Sequence, residues 1–242
     1  MRELLALGSG TELALGWMLA AWLLSNAAGS GLAGRLGAGL RQQAQIAAAL
    51  FTGAAILLPA TIFATRAVRA AVQTAPGELL GSHRILAGAL LILGPFCVIN
   101  GWLFAAASRL CRTRRSISAA AATATVYLWE AAGSAAGGLI TGFVLVRFFD
   151  PFQISFLLGA VNLAVAICLI TRPAARRIFL VAVVLLLFGV YLVPRLAPAL
   201  NRYTLSLIWR PFTIIETANS PYGNLVLLER EGRSVFDRTV DL

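Results

Sequence analysis

The feature that most constrains this fold is a succession of apolar segments, each long enough to cross a bilayer as a helix. A transmembrane helix needs about 20 predominantly apolar residues. Six segments meet this condition: 11–33, 44–65, 85–108, 119–146, 152–171 and 177–195. Arginines occupy the connections between these segments. We therefore predict an all-α membrane domain with about six transmembrane helices.

The composition requires lipid as the solvent of this chain. Hydrophobic residues make up 59% and charged residues 12% of the sequence, and the mean hydropathy is +0.83. An ordinary soluble domain carries about 25% charged residues. All basic residues are arginine, a pattern typical of a GC-rich bacterial genome. We expect a multi-pass protein of the bacterial inner membrane, with the bilayer as partner. No basic run is interleaved with aromatic residues, so we expect no nucleic-acid partner.

The chain changes character near Asn201. Residues 195–210 predict a connector with a short amphipathic helix. Strand-like segments then follow at 212–216, 224–230 and 233–236, with turn residues at 218–223. We predict a β-hairpin or meander, too small to be stable alone. The predicted division is a multi-span domain at 1–197 and the start of a soluble segment at 198–242.

Glu130 is the residue of the predicted membrane domain whose burial is most unfavourable, because placing a charge inside a bilayer costs free energy. Helical spacing places Tyr127, Glu130, Ser134 and Gly137 on one face. Gly133 and Gly137 form a G-x-x-x-G pattern, which permits close approach of two helices. Two interpretations remain open. Glu130 is a buried carboxylate that binds a cation, a proton or a polyamine, or it hydrogen-bonds neighbouring helices and fixes their packing.

The other polar candidates have simpler interpretations. Glu12 is expected near the interface at the start of a helix, where the dipole favours a carboxylate. Asn100 and Asn162 are expected to form interhelical hydrogen bonds. The cysteines show no C-x-x-C spacing and the single histidine has no partner motif, so we expect no metal site. No known catalytic motif is present.

The distribution of arginine does not settle the membrane orientation. One side of the predicted domain carries nine arginines and the other side eight. Counted over internal loops alone, the distribution is nine against four. By the positive-inside rule, that count places the C-terminal tail outside the cytoplasm.

Three stretches resemble the membrane-bound bacterial members of the spermidine synthase family, the polyamine aminopropyltransferases. Residues 213–236 (TIIETANSPYGNLVLLEREGRSVF) are similar to the hairpins that precede their catalytic domain. Residues 127–138 (YLWEAAGSAAGG) are similar to a run in their membrane part. Gly29 to Arg35 resembles another of their segments, and also a loop motif of major-facilitator transporters.

The resemblance implies a specific reaction. The family transfers an aminopropyl group from decarboxylated S-adenosylmethionine to putrescine. Its nucleotide loop and its catalytic Asp follow the hairpins, so this chain is expected to lack the catalytic core and to bind no cofactor itself. Tyr222 matches a family Tyr near the substrate cleft, but Gly223 replaces the Gln that usually follows. A C-terminal catalytic domain would then be the missing partner, and aminopropyl transfer would need a cytosolic tail.

Three functions therefore remain open. The chain is the membrane region of an aminopropyltransferase-like enzyme, a fragment that ends before the active site. Alternatively, it is a transport module that resembles half of a major-facilitator protein, with Glu130 as the site for a polyamine or another cation. The third interpretation is a membrane scaffold whose small-residue faces pack against a partner or a second copy of the chain.

Overall fold

The computed structural model describes residues 12–35, 40–72, 82–170, 174–209, 212–220, 223–230 and 233–235. Most of these residues are helical, which confirms the predicted all-α character of the domain. The helices are α1 (Glu12–Arg35), α2 (Leu40–Val72), α3 (Ser82–Ile92), α4 (Gly94–Arg115), α5 (Ala119–Phe148), α6 (Pro151–Ile170), α7 (Ala174–Leu187) and α8 (Ala197–Ile208). A π-helical stretch, Phe188–Leu196, joins α7 to α8. The last predicted span ends at residue 195, whereas the helix continues beyond it into α8.

Five helices in the described residues are long and apolar enough to cross a membrane: α1, α2, α5, α6 and the continuous helix formed by α7, the π-helical stretch and α8. The helices α3 and α4 meet the combined requirements of length and apolar composition only together, and a bend of 54° separates them. The bend occurs at Gly94-Pro95, because proline lacks the N–H that would continue the helical ladder. Counting the bent pair as one span gives six.

One half of the domain is built on close contact between α1 and α4. A Cβ atom at Gly29 would overlap the backbone of Val98, and one at Gly101 would overlap the backbone of Asn26. Ser30 Oγ donates to the carbonyl oxygen of Gly101 at 3.0 Å. The absence of side chains at the two glycines therefore lets the helices approach to backbone contact.

The other half packs α6 between α2 and the α7–α8 segment. Its core contains Phe152, Phe156, Val193 and Ala197, with Phe156 and Phe188 in an edge-to-face arrangement at 6.3 Å between centroids. Gly159 lies against Ala55 in the middle of α2. Ala55 on α2 contacts Gly159 on α6, and Arg66, later on α2, lies against Phe152, earlier on α6, so the two helices are antiparallel.

The long helix α5 lies at the side of this assembly. Ser116 ends α4 in the left-handed conformation, and Ser118 then caps α5 by accepting a hydrogen bond from the Ala121 N–H at 3.2 Å. Its most apolar 18-residue stretch contains no buried residue. Within the described residues, α5 packs mainly against the end of α4.

Three antiparallel strands follow α8 in the order β1 (Thr213–Ser220), β2 (Gly223–Arg230) and β3 (Arg233–Val235). Pairing of β1 with β2 continues to Ser220 and Gly223. The first strand is therefore longer than the predicted 212–216, because cross-strand hydrogen bonds extend into the predicted turn. A register shift occurs between Ile214 and Glu216.

The helix directions define two faces of the domain. The strand face holds the start of α1, the ends of α2, α5 and α8, and the strands. The opposite face holds the ends of α1, α4 and α6 and the starts of α2, α5 and α7, and we call it the arginine face. Residues 146–148 at the end of α5 contact β1 on the strand face.

Candidate functional site

A buried arginine lies where the last helix joins the rest of the domain. Arg66, on α2, is only 1% exposed. It lies six residues before the end of α2 at Val72, about 9 Å along the helix axis from that end. A charged side chain at such a position is costly unless its donors are satisfied. The residues around Arg66 therefore form the candidate functional site.

Two side chains of α8 accept hydrogen bonds from Arg66. Nη1 donates to Asn201 Oδ1 at 2.7 Å and to Thr204 Oγ1 at 2.8 Å. The Thr204 hydroxyl in turn donates to the carbonyl oxygen of Leu200 at 2.8 Å. Because the hydroxyl hydrogen is directed to Leu200, the lone pairs of Thr204 Oγ1 are available to accept the hydrogen bond from the Arg66 guanidinium. Hydrogen bonds of this kind to a charged donor are stronger than neutral ones.

An aromatic ring completes the site from α6. The Arg66 Cζ atom lies 5.4 Å from the centroid of the Phe152 ring, within the range of a cation–π contact. Phe152 and Ala197 are both fully buried beside it. The site therefore joins α2, α6 and α8, three helices that are far apart in sequence.

Local sequence explains why Phe152 is held in place. Pro151 occupies the first turn of α6, where its missing N–H costs nothing. Gln153 Oε1 accepts a hydrogen bond from the backbone N–H of Asp150 at 2.8 Å, as in a capping box. Gln153 Nε2 also donates to the carbonyl oxygen of Val193 in the π-helical stretch, at 3.4 Å. The start of α6 is therefore fixed both to its own backbone and to the neighbouring helix.

The arrangement is suited to joining helices. A guanidinium is a donor only, with a planar set of N–H groups. Both hydrogens of Nη1 are directed to oxygens of α8, so movement of α8 would break two charge-assisted hydrogen bonds together. Asn201 and Thr204 are also buried, so water cannot readily replace them.

The predicted site around Glu130 is arranged differently. Glu130 is exposed on α5, and so are Tyr127, Gly133, Ser134 and Gly137. A Cβ atom at Gly133 or Gly137 would have nothing within 4 Å in the described residues. The close helix approach that the G-x-x-x-G pattern permits occurs instead at Gly29 and Gly101.

The remaining predicted residues are separate from Arg66. Glu12 lies exposed in the first turn of α1. Asn100 is exposed on α4, and Asn162 donates within its own helix to the Leu158 carbonyl oxygen at 2.8 Å. Tyr222 lies outside the described residues. Among the residues that the structure describes, no three His, Cys, Asp or Glu side chains are grouped as metal ligands would be.

Sequence reasoning missed Arg66 because it treated the residue as part of a loop. The predicted span ended at residue 65, whereas α2 continues to Val72. A signal was present, since the apolar residues Ala67 and Val68 follow Arg66 before the next charge at Arg69. Asn201 and Thr204 are also three positions apart, and so share a helix face in the predicted connector.

Comparison of the chain with protein-family models, with curated proteins and with solved structures found no match.

Proposed function

We propose that this chain is a membrane platform that holds a strand-bearing segment in a fixed orientation at one face of the bilayer. The observation that carries the proposal is the buried hydrogen bonding of Arg66 to Asn201 and Thr204. It attaches the last helix before the strands to a helix that lies 135 residues earlier in the sequence.

The link from α8 to β1 is short enough to transmit this orientation. The Trp209 N–H donates to the Leu205 carbonyl oxygen at 3.1 Å, and the Phe212 N–H donates to the Trp209 carbonyl oxygen at 2.8 Å. The strand begins at Thr213, directly after this turn. A helix fixed by Arg66 therefore limits where the first strand can begin.

The platform is tested by hydrogen exchange of the protein in detergent micelles. We expect Arg66→Met to accelerate amide exchange in residues 197–208 and 213–220 by about tenfold or more, while α1 and α4 keep their rates. Arg202→Met is the matched control, because Arg202 is an exposed arginine on α8 itself. Unchanged exchange in α8 of the Arg66 variant would contradict the platform.

We further propose that the strands begin an aminopropyltransferase-like domain in the bacterial inner membrane. The support is the resemblance of residues 213–236 and of residues 127–138 to that family. On this proposal, decarboxylated S-adenosylmethionine and putrescine bind to a catalytic domain beyond the hairpins, with Tyr222 near the substrate cleft. The same proposal divides the chain into a domain with six spans at 1–197 and a soluble segment, beginning with the meander, at 198–242.

A pair of experiments tests the enzymatic proposal. The protein, expressed with the coding sequence that follows Leu242, should transfer an aminopropyl group to putrescine. A fluorescent protein fused after Leu242 should fluoresce and a phosphatase fusion should be inactive, because the donor is cytosolic. An active phosphatase fusion would remove the enzymatic proposal and would leave the platform unaffected.

A membrane scaffold is the second candidate, and the exposed face of α5 favours it. Glu130, Ser134 and Gly137 lie together on that face, and nothing in the described residues covers them. The transport alternative has less support, since the carboxylate that it requires lies at the outside of the helical domain. Chemical cross-linking in native membranes tests the scaffold. Cross-links between the α5 helices of two copies would support it, and a chain that forms no cross-link would contradict it.

A further inference from the structure

The directions of the helices separate the charged residues into two chemically different sets. Arg109 Nη2 donates to the carbonyl oxygen of Ala33, which places the ends of α1 and α4 together. The ends of α2 and α8 lie together at the opposite membrane face, where Arg66 contacts Asn201. The arginine face is thus formed by helix ends that are distant in sequence but share one depth.

Five exposed arginines cover the helix ends of this face. They are Arg35, Arg112, Arg114, Arg115 and Arg176. No Asp or Glu accompanies them among the described residues of that face. The short connections at 36–39, 116–118 and 171–173 also contain no acidic residue in their sequences. Among the described residues, no carboxylate of this face therefore neutralises these five arginines.

The strand face has a different charge pattern. Its exposed arginines include Arg147, Arg195 and Arg202, and the described carboxylates Glu12 and Asp150 lie on the same face. Acidic and basic side chains are mixed there. The two faces consequently provide an internal comparison within one molecule.

We infer that the arginine face is a binding surface for the headgroups of anionic phospholipids. The arginines lie at the ends of membrane-length helices, which is the depth of lipid phosphates. A guanidinium can bind a phosphate through two parallel hydrogen bonds. Each helix C-terminus contributes about half a negative charge, so the three terminal arginines of α4 outweigh that charge.

The expected strength follows from the number of arginines. A basic residue near an anionic membrane surface strengthens binding by about fivefold, and salt reduces this effect. Removing three such residues should therefore weaken binding of an anionic lipid by at least about tenfold. The inference applies whether or not the strands belong to an enzyme.

The test uses the detergent-solubilised protein titrated with phosphatidylglycerol or phosphatidylcholine, with the thermal unfolding midpoint as readout. We expect phosphatidylglycerol to raise the midpoint of the unmodified protein and phosphatidylcholine to leave it unchanged. The variant R112Q/R114Q/R115Q should require at least about tenfold more phosphatidylglycerol for the same rise. The control variant R147Q/R195Q/R202Q, with three exposed arginines removed from the strand face, should respond as the unmodified protein does.

Several outcomes would overturn the inference. Equal losses in the two triple variants would show a general effect of charge, and an unchanged R112Q/R114Q/R115Q variant would show that the arginines are not involved. Competition by millimolar inorganic phosphate, or an equal rise with RNA, would assign the face to a soluble anion. If the triple variant fails to fold, the single variant Arg35→Gln and a salt titration replace it. A response that does not decline with salt then contradicts the inference.

Discussion

The same sequence features are buried in the packed helices and exposed in the solitary helix α5. Each region contains one charged residue in an apolar run and one pair of glycines. The glycines of α5 are at helical spacing on one helix, whereas those of the packed region lie where α1 and α4 cross. Arg66 is 1% exposed among three helices, whereas Glu130 is exposed. Gly29 and Gly101 each lie against the backbone of the facing helix, whereas no described residue lies within 4 Å of the Cβ position of Gly137.

The difference teaches that a packing motif is only half of an interaction. Gly101 permits close approach because Asn26 offers its backbone at the same height on α1. Arg66 is accommodated because Asn201 and Thr204 offer oxygens within hydrogen-bonding distance. The corresponding residues of α5 are also a charged side chain and a pair of glycines, but no second helix in the described residues faces them.

The two sides of α5 also differ from each other. By helical spacing, Leu128, Leu139 and Phe143 lie on one side, and all three are exposed. Glu130 and Gly137 lie on the other side. Large apolar residues suit contact with lipid, whereas small and charged residues suit contact with another helix. The second side is therefore where a scaffold function would be located.

The largest effect is expected from removing the buried charge. Arg66→Met should lower the free energy of unfolding in detergent by about 2–4 kcal/mol, because Asn201 loses its donor and three helices lose a shared contact. Glu130→Gln is the matched change in the exposed region and should leave the unfolding midpoint unchanged. Equal effects of the two substitutions would show that the two regions do not differ as the structure places them.

Adding a methyl group to each glycine pair sharpens the same comparison. Gly101→Ala should destabilise the protein by about 1–3 kcal/mol, because the new Cβ overlaps the backbone of Asn26 and the helices must separate. Separation should also make Cys97, which is now 1% exposed, react faster with a membrane-permeant maleimide.

The matched substitution is Gly137→Ala, in the exposed region. It should not destabilise the isolated protein, since no described residue lies within 4 Å of the added atom and alanine favours the helix by up to about 1 kcal/mol. A marked loss of stability in Gly137→Ala would reveal a partner helix, and would favour the scaffold.

The smallest effect concerns the start of α5. Ser118→Ala removes the hydrogen bond to the Ala121 N–H and should cost about 1 kcal/mol. Because α5 has few tertiary contacts along its length, the loss should be visible as faster amide exchange in residues 119–122. Ser134→Ala, in the middle of the same exposed helix, should leave that exchange unchanged. Equal exchange in the two variants would mean that packing, and not the cap, holds the start of α5.

The class of fold was readable from the sequence, because lipid exposure requires long apolar helices and the apolar segments are continuous in the chain. The bend at Pro95 divides one predicted span, and the continuation of the last helix to Ile208 extends another. The bend arises at a proline within the apolar segment, where the helical ladder loses a donor. The extension arises at a segment end, where hydropathy changes gradually and the helix is maintained by contacts with its neighbours.

The tertiary structure alone decided which polar residues are buried. Arg66 lies at the end of one apolar run and Glu130 lies within another, and nothing local shows which of the two is buried. Their environments depend on which distant segment lies opposite, and the oxygens of Asn201 and Thr204 meet Arg66 only when α8 packs on α2. The sequence by itself determined that the chain needs lipid, since that property is a sum over residues. The site and the charge of each face depend on pairing between helices, and so required the fold.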